Sequence, residues 1–478
     1  MRVIDQPLEL PGLAANLPLF RTAGVHQAPT RISRLLLTYL LLWPLLCFVA
    51  RQAPYFSGPA RDATSFQQGR SAGEGSDYWP IFYLLMATEA MFAASCARGI
   101  LSVLKRNPFV PAGLALVLLS ALWSGSRSNT LHLWLQLSIS TLFACYLTVR
   151  MRTEQLMRQF MFVGLAASLL SVLFVFALPG YGIFAGYAGG AWQGICNHKN
   201  TLGLSMVYLL TPALFLDCRR WQRATYILLV LFLIAMSQSR GAWLYTLGVL
   251  SFVGCLHLVR RLKKHESLLL VMILCLLFAA AAVAASTYFD TVTSALGKNG
   301  SMSGRSDIYR EVWISVGKAP ILGYGYNGFW GVSPEAARVG LSIGWTNIGY
   351  SESGILEVLL QLGFVGVALV VWMIVKAWIQ GIRLLRSPHY SPRLGWFLTI
   401  LLLAALTNID AGCLLATGTL DWLMILIACI GLDAEARRAQ DAKVNNPPFA
   451  RPSLQEFLRD SGVPASTFPP LADASIQQ

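Results

Sequence analysis

Apolar positions in this chain run in blocks and seldom alternate with polar ones. Twelve blocks are long enough, or nearly so, to cross about 30 Å of hydrocarbon as helices. They lie at about 33–50, 79–97, 109–125, 130–149, 159–178, 201–217, 224–239, 241–259, 268–287, 355–375, 394–410 and 415–432. The pattern predicts an all-α polytopic membrane protein of about 12 transmembrane helices. Most connections are short or modest, but the one from about Ser286 to Ser353 is far longer than a turn requires. Within Ser303–Pro320, Ile308, Val312, Trp313 and Val316 fall on one helical face and a proline ends the run, which predicts an amphipathic helix on the outer mouth of the membrane domain. A second outer segment, Pro179–Asn200, is rich in glycine and aromatic residues. The chain thus divides into an N-terminal segment 1–32, a membrane domain 33–432 with its large loop at 288–353, and a polar tail 433–478.

Composition agrees. Of 478 residues, 55% are apolar and 13% charged, against about 25% charged in an ordinary soluble chain. Mean hydropathy is +0.56. A net charge of +14 would suggest nucleic acid in a soluble protein. Here placement decides otherwise, because 26 of the 37 Lys and Arg fall on the side of the N-terminus when the blocks are threaded in order. The positive-inside rule then sets both termini in the cytoplasm, and the excess charge needs no nucleic-acid partner. The first block follows about 30 residues, has no small-residue cleavage site close behind it and precedes many further blocks, so it reads as a retained helix. Of nine cysteines, only Cys196 and Cys413 approach the outer face, which argues against a disulfide framework.

Gly323-Tyr-Gly-Tyr-Asn-Gly328 spells a dinucleotide fingerprint without a βαβ context, and reads as a glycine-rich turn with tyrosines packing at the interface. Neither a His-Glu-x-x-His helix nor a Cys-x-x-Cys pair occurs, so no metal and no cofactor is expected. The outer face carries cations where topology disfavours them. Arg240 stands between two blocks joined by almost no loop, Lys199 heads the sixth block, and Arg305 opens the amphipathic helix. Converging on one cavity they suit a diphosphate, and each alone is equally read as snorkelling to lipid phosphate. His198 is a base, a donor or a structural residue. Glu352, one turn before an apolar helix, either complements the helix dipole or takes a proton from a hydroxyl. Glu89 and Asp410 are intramembrane or interfacial acids, expected to pair with a cation.

Several motifs then fall in a telling order: Ala121-Leu-Trp-Ser124, Asn197-His-Lys-Asn-Thr-Leu-Gly203, Ser237-Gln-Ser-Arg-Gly-Ala-Trp243, Gly304-Arg-Ser306, Pro320-Ile-Leu-Gly-Tyr-Gly-Tyr-Asn-Gly-Phe-Trp330 and Leu356-Glu-Val-Leu-Leu-Gln-Leu-Gly-Phe-Val-Gly366. Over roughly residues 110–430 the chain resembles the O-antigen ligase and polysaccharide polymerase superfamily, most of all its ExoQ-like, Wzy-type exopolysaccharide polymerases. The resemblance implies a GT-C-like bacterial inner-membrane glycosyltransferase with a periplasmic loop, a glycan donor linked to undecaprenyl diphosphate, and no metal. It also implies membrane lipids, a chain-length regulator and a flippase as partners. Arg240 and Arg305 would hold the diphosphate, with His198 and Lys199 at the same mouth. Such enzymes usually show a His-Asn pair where this chain has Glu352-Ser353. Either Glu352 replaces the histidine as base, or the base lies elsewhere, His198 included, or the catalytic machinery has diverged. A ligase acting on the lipid A core and a polysaccharide transporter are the alternative readings.

Overall fold

The computed structural model describes residues 31–50, 79–184, 190–261, 305–342, 349–351, 353–385, 393–410, 412 and 414–445. Among these every regular element is a helix, and the one β-bridge joins Ile183 to Trp192. The described residues up to Trp43, with α1 (Arg31–Leu40), fall in a unit of their own. The remainder, from Pro44 onward, is a second unit.

Helix α2 (Leu42–Val49) is followed among the described residues by α3 (Trp79–Ser95) and α4 (Ala97–Arg106), which meet at an 84° bend. Helix α4 carries Arg98, Lys105 and Arg106 within ten residues, charges that are costly to carry straight on through hydrocarbon. Then come α5 (Phe109–Ser120), α6 (Arg127–Arg150), α7 (Thr153–Ala177) and the single turn α8 (Pro179–Gly182). Helices α9 (Lys199–Phe215), α10 (Arg220–Met236) and α11 (Arg240–Arg261) follow. The chain closes with α12 (Arg305–Lys318), α13 (Pro334–Ser342), α14 (Gly354–Leu385), α15 (Leu394–Asp410) and α16 (Leu420–Asn445).

Four described helices, α6, α7, α11 and α14, are long and apolar enough to cross a membrane, and the bent α3–α4 pair makes a fifth if it is one span. Helices α5 and α15 are apolar but shorter. The predicted block 268–287 lies outside the described residues. Leu228, Leu244, Leu247, Phe176 and Trp372 point outward, as lipid-facing side chains do.

The centre of the bundle is α9. Only Asn200 and Leu214 of its residues escape burial, the pattern of a helix enclosed on every side. Helices α7, α10, α11, α15 and α16 surround it, α14 packs on α15 and α16, and α5 and α6 close the far side. Helix α12 lies against α14 through Ile308, Val312 and Val316, packed with Leu359 and Leu360. Trp313, predicted on that face, is 56% exposed. The reason is spacing: 308, 312 and 316 repeat every four residues, and Ser315, not Trp313, completes the buried stripe.

Glu89 is buried in α3, and its described partner is a hydroxyl, Ser140 Oγ at 3.2 Å, where the sequence suggested a cation. The Asp410 side chain lies outside the described residues. The described cysteines are free thiols, and Cys196, 1% exposed, donates to the Val49 carbonyl at 3.4 Å.

Candidate functional site

Two motifs meet at the N-terminal end of α9. His198 is its N-cap, with extended backbone, and its Nδ1 accepts from Asn200 N at 3.2 Å. That bond places the neutral ring's proton on Nε2. Phe184 packs edge-on against the imidazole at 4.8 Å and also lies under Lys199 Nζ at 6.0 Å. The Lys199 ammonium donates to the Gln238 carbonyl at 3.5 Å, two residues before Arg240.

The α10–α11 turn that receives it is closely tied. Ser237 Oγ donates to Ile234 O at 2.7 Å, and Gln238 takes a left-handed φ of 50° to reverse the chain. Ser239 Oγ accepts from Ala242 N at 3.4 Å as the N-cap of α11, and Trp243 Nε1 returns to Ile234 O at 3.1 Å. Gly203 lets α9 approach this turn, since a Cβ there would stand 2.8 Å from both Ser237 Oγ and Ala242 Cβ. The result is an exposed Arg240 at a helix N-terminus beside a buried Lys199 at another. Both the cations and the helix ends favour an anion.

A second construction joins three further motifs. Helix α14 breaks at Gly363 (φ 62°, ψ −162°), and the segment after Pro320 inserts into the break. Tyr324 N and Gly325 N donate to the carbonyls of Leu360 and Gln361 at 2.8 and 2.9 Å. Phe364 N and Val365 N donate to those of Pro320 and Ile321 at 2.8 and 3.2 Å. Interrupting a spanning helix frees polar groups that hydrocarbon cannot satisfy, and this inserted segment satisfies them.

The same loop docks on the end of α5. Tyr326 N donates to Ser120 Oγ at 3.0 Å, while Thr130 Oγ1 lies 2.7 Å from both Tyr326 O and Ser124 Oγ, donating to one and accepting from or bordering the other. The Tyr326 hydroxyl donates to Leu415 O at 2.6 Å. Burial, with the Glu357 charge adding to it, pushes this phenol above its usual range, so it stays a donor. The fingerprint-like glycines are therefore structural: Gly323 abuts the α14 backbone, and Gly325 and Gly328 abut Ser124.

Glu357 organises the approach to α14. It accepts from Trp330 Nε1 at 3.0 Å, Ser351 N at 2.9 Å and Gln361 Nε2 at 2.7 Å. On the other side Ser353 Oγ donates to Asn408 O at 3.3 Å, and Gly354 leaves room for the Asn408 side chain. Glu352 itself lies outside the described residues, but its neighbours Ser351 and Ser353 are buried and pinned from two directions.

Of the five site residues named from sequence, Lys199, with His198 beside it, meets the turn that carries Arg240. Arg305 opens α12, with its side chain outside the described residues. Residues 225–371 match the O-antigen ligase family, Wzy_C. This segment is similar to the O-antigen ligases and polymerases that the family describes. The match covers less than a third of the chain, including α11, α12, α13 and the broken part of α14. Arg240, Arg305, Glu352 and Glu357 fall within the Wzy_C segment, and His198 and Lys199 precede it. No curated protein matches the chain. The family implies a glycosyl-transferring membrane enzyme that acts on lipid-linked glycans.

In the sequence Glu357 and Trp330 stand in separate motifs, with nothing there to join them. The available signal was an acid in the first turn of an apolar helix, a position costly without a donor. Glu357→Ala should lower the stability of the 320–353 region by about 1–3 kcal/mol, since it leaves a partly buried indole N–H and a backbone N–H without an acceptor. Hydrogen exchange of Trp330 and Ser351 measures it; unchanged protection at both would remove the clamp.

Proposed function

We propose that the chain is a metal-independent, inverting glycosyltransferase of the polymerase type. Working at the periplasmic face of the bacterial inner membrane, it joins repeat units carried on undecaprenyl diphosphate. An acceptor hydroxyl attacks the anomeric carbon of the donor, the bond to the diphosphate oxygen breaks, and the diphosphate leaves with the electron pair. The hydroxyl proton goes to a base, for which Glu352 is our first assignment and His198 our second. The observation that carries the reading is the meeting of Lys199 with the Arg240 turn, at two helix N-termini, in a chain whose next segment matches Wzy_C. Fixed cations aimed at the departing diphosphate stabilise the charge that develops there. Arginine gives planar, bidentate recognition of phosphate, which needs no metal. Arg305 completes the clamp in this proposal.

The family's own description, O-antigen ligase, favours a second reading, in which the acceptor is the lipid A core. Deleting the gene in its host and resolving lipid-linked and surface glycans by length tests both. A polymerase leaves single repeat units on lipid and no long polymer. Long lipid-linked polymer that never reaches lipid A core indicates the ligase. Repeat units held on the cytoplasmic leaflet would overturn both in favour of a transporter.

A further inference from the structure

Helix α12 is apolar on the side that its neighbours leave open. Ile308, Val312 and Val316 face α14, while Trp313 is 56% and Ile314 50% exposed. After Lys318 the chain keeps helical turns, with Ala319 N donating to Val316 O and Gly323 N to Ala319 O, both at 3.1 Å. Those turns carry the open side on to Ile321, 66% exposed, and Leu322, 43% exposed. Large apolar side chains gathered in this way mark a surface that something apolar covers.

The patch is joined to the flank of a helix long and apolar enough to span a membrane. Phe364 N and Val365 N of α14 donate to the carbonyls of Pro320 and Ile321, and both side chains, Phe364 and Val365, are themselves exposed. Ile321 and Leu322 therefore widen the outward-facing surface of α14. Their level can be read along that helix. Lys376 pairs with Asp433 at 3.8 Å, Gln380 Nε2 donates to it at 3.1 Å, and Arg437 pairs with it as well. Such a charged cluster belongs at one edge of the hydrocarbon. From Lys376 and Gln380 to Phe364 the helix rises roughly 18 and 24 Å. Both are short of the roughly 30 Å of hydrocarbon, and any tilt of α14 shortens them further. Ile321 and Leu322, bonded to the Phe364 turn, thus stand inside the opposite edge and not above it.

We propose that α12 and the turns after it, to Leu322, form a re-entrant element seated in the leaflet away from that charged cluster, with Trp313, Ile314, Ile321 and Leu322 against acyl chains. The partner is the bilayer itself. A connection between spans would ordinarily project into water, but the break at Gly363 takes this one in and holds it beside a lipid-facing surface. Trp313 suits the interfacial level, and Ile321 and Leu322 the apolar one beneath it. The proposal does not rest on glycosyl transfer, since a polymerase, a ligase and a transporter could each carry such an element.

The test uses full-length protein in phosphatidylcholine nanodiscs, which leave both faces open to solutes, with the fluorescent residue dansylalanine replacing Trp313, Ile314 or Ile321 one at a time. The same residue at Leu247, exposed on α11, sets the lipid limit, and at Asp441, exposed near the end of α16, the aqueous limit. Thermal midpoints check the fold of each variant, and the three positions are read separately, so one that misfolds leaves two that decide. Phosphatidylcholine brominated on its acyl chains should quench all three probes to within about twofold of the Leu247 probe. Iodide, an ion that hydrocarbon excludes, should quench them about fivefold less than the Asp441 probe. Iodide quenching equal to that at Asp441, with little from brominated lipid, would put this face in water and overturn the proposal. Protection from both quenchers would overturn it too, and would assign the cover to protein.

Discussion

Arg240→Ala should remove long polymer from the cell surface while the protein stays folded and inserted. Its guanidinium is exposed at the N-terminus of α11 and makes no ion pair with the described residues, so its loss leaves no buried partner stranded. In the proposed mechanism what it loses is the interaction with the leaving diphosphate. Removing one preorganised donor of this kind costs about 2.7–4 kcal/mol in the transition state, or roughly a 100- to 1,000-fold fall in turnover. Arg240→Lys should recover only part, because a point charge cannot reproduce the two-pronged contact. Arg305→Ala is expected to match it in the proposed clamp, and Glu352→Gln to lose activity through the missing base. Glycan length on gels, read beside the thermal midpoint of each purified variant, makes the comparison. Chain lengths like those of wild type from Arg240→Ala would end the diphosphate assignment. A collapsed midpoint would make Arg240 a structural residue instead.

The second large effect is on folding. Gly363→Ala should destabilise the protein by about 4 kcal/mol or more, beyond the usual range for a single substitution. Its backbone, at φ 62° and ψ −162°, lies in a region that is essentially glycine-only and costs other residues of order 1–3 kcal/mol. A Cβ would also run into the Ile321 carbonyl. Relief by withdrawing the 320–325 segment would strip four backbone hydrogen bonds from the interrupted helix, at membrane depth, where each unsatisfied group is expensive. Gly317→Ala is the control: it sits in α12 with open space around it, and should be neutral or stabilising by about 0.5–1 kcal/mol. Thermal melts in detergent and limited proteolysis of residues 305–351 report the difference. A melt for Gly363→Ala equal to that of wild type, with the segment still protected, would show that the inserted loop carries little stability.

These two residues also divide what was legible in the chain. Arg240 was singled out by position: a charge between two apolar blocks with almost no loop is costly in any arrangement, so sequence suffices to raise the question of its partner. Lys199 and His198 were visible in the same way, at the polar head of an apolar block. Gly363 was not. It lies inside the uninterrupted block 355–375, and hydropathy averaged over a span cannot register one residue of left-handed backbone. The break exists because a segment some forty residues upstream supplies the missing hydrogen bonds, and that pairing is a long-range fact. Glu357 was hidden for a similar reason, since its three donors come from α14 itself, from the residue before Glu352 and from the loop at Trp330.

Helical class, the membrane habit and the inward stripe Ile308, Val312, Val316 follow from apolar spacing, because burial of an apolar face is a local demand that each block states for itself. The outward turn of Trp313, the bend between α3 and α4 and the meeting of the Lys199 and Arg240 turns depend on which helix lies beside which. Neighbouring helices compete for the same buried surface, and only their packing settles that competition.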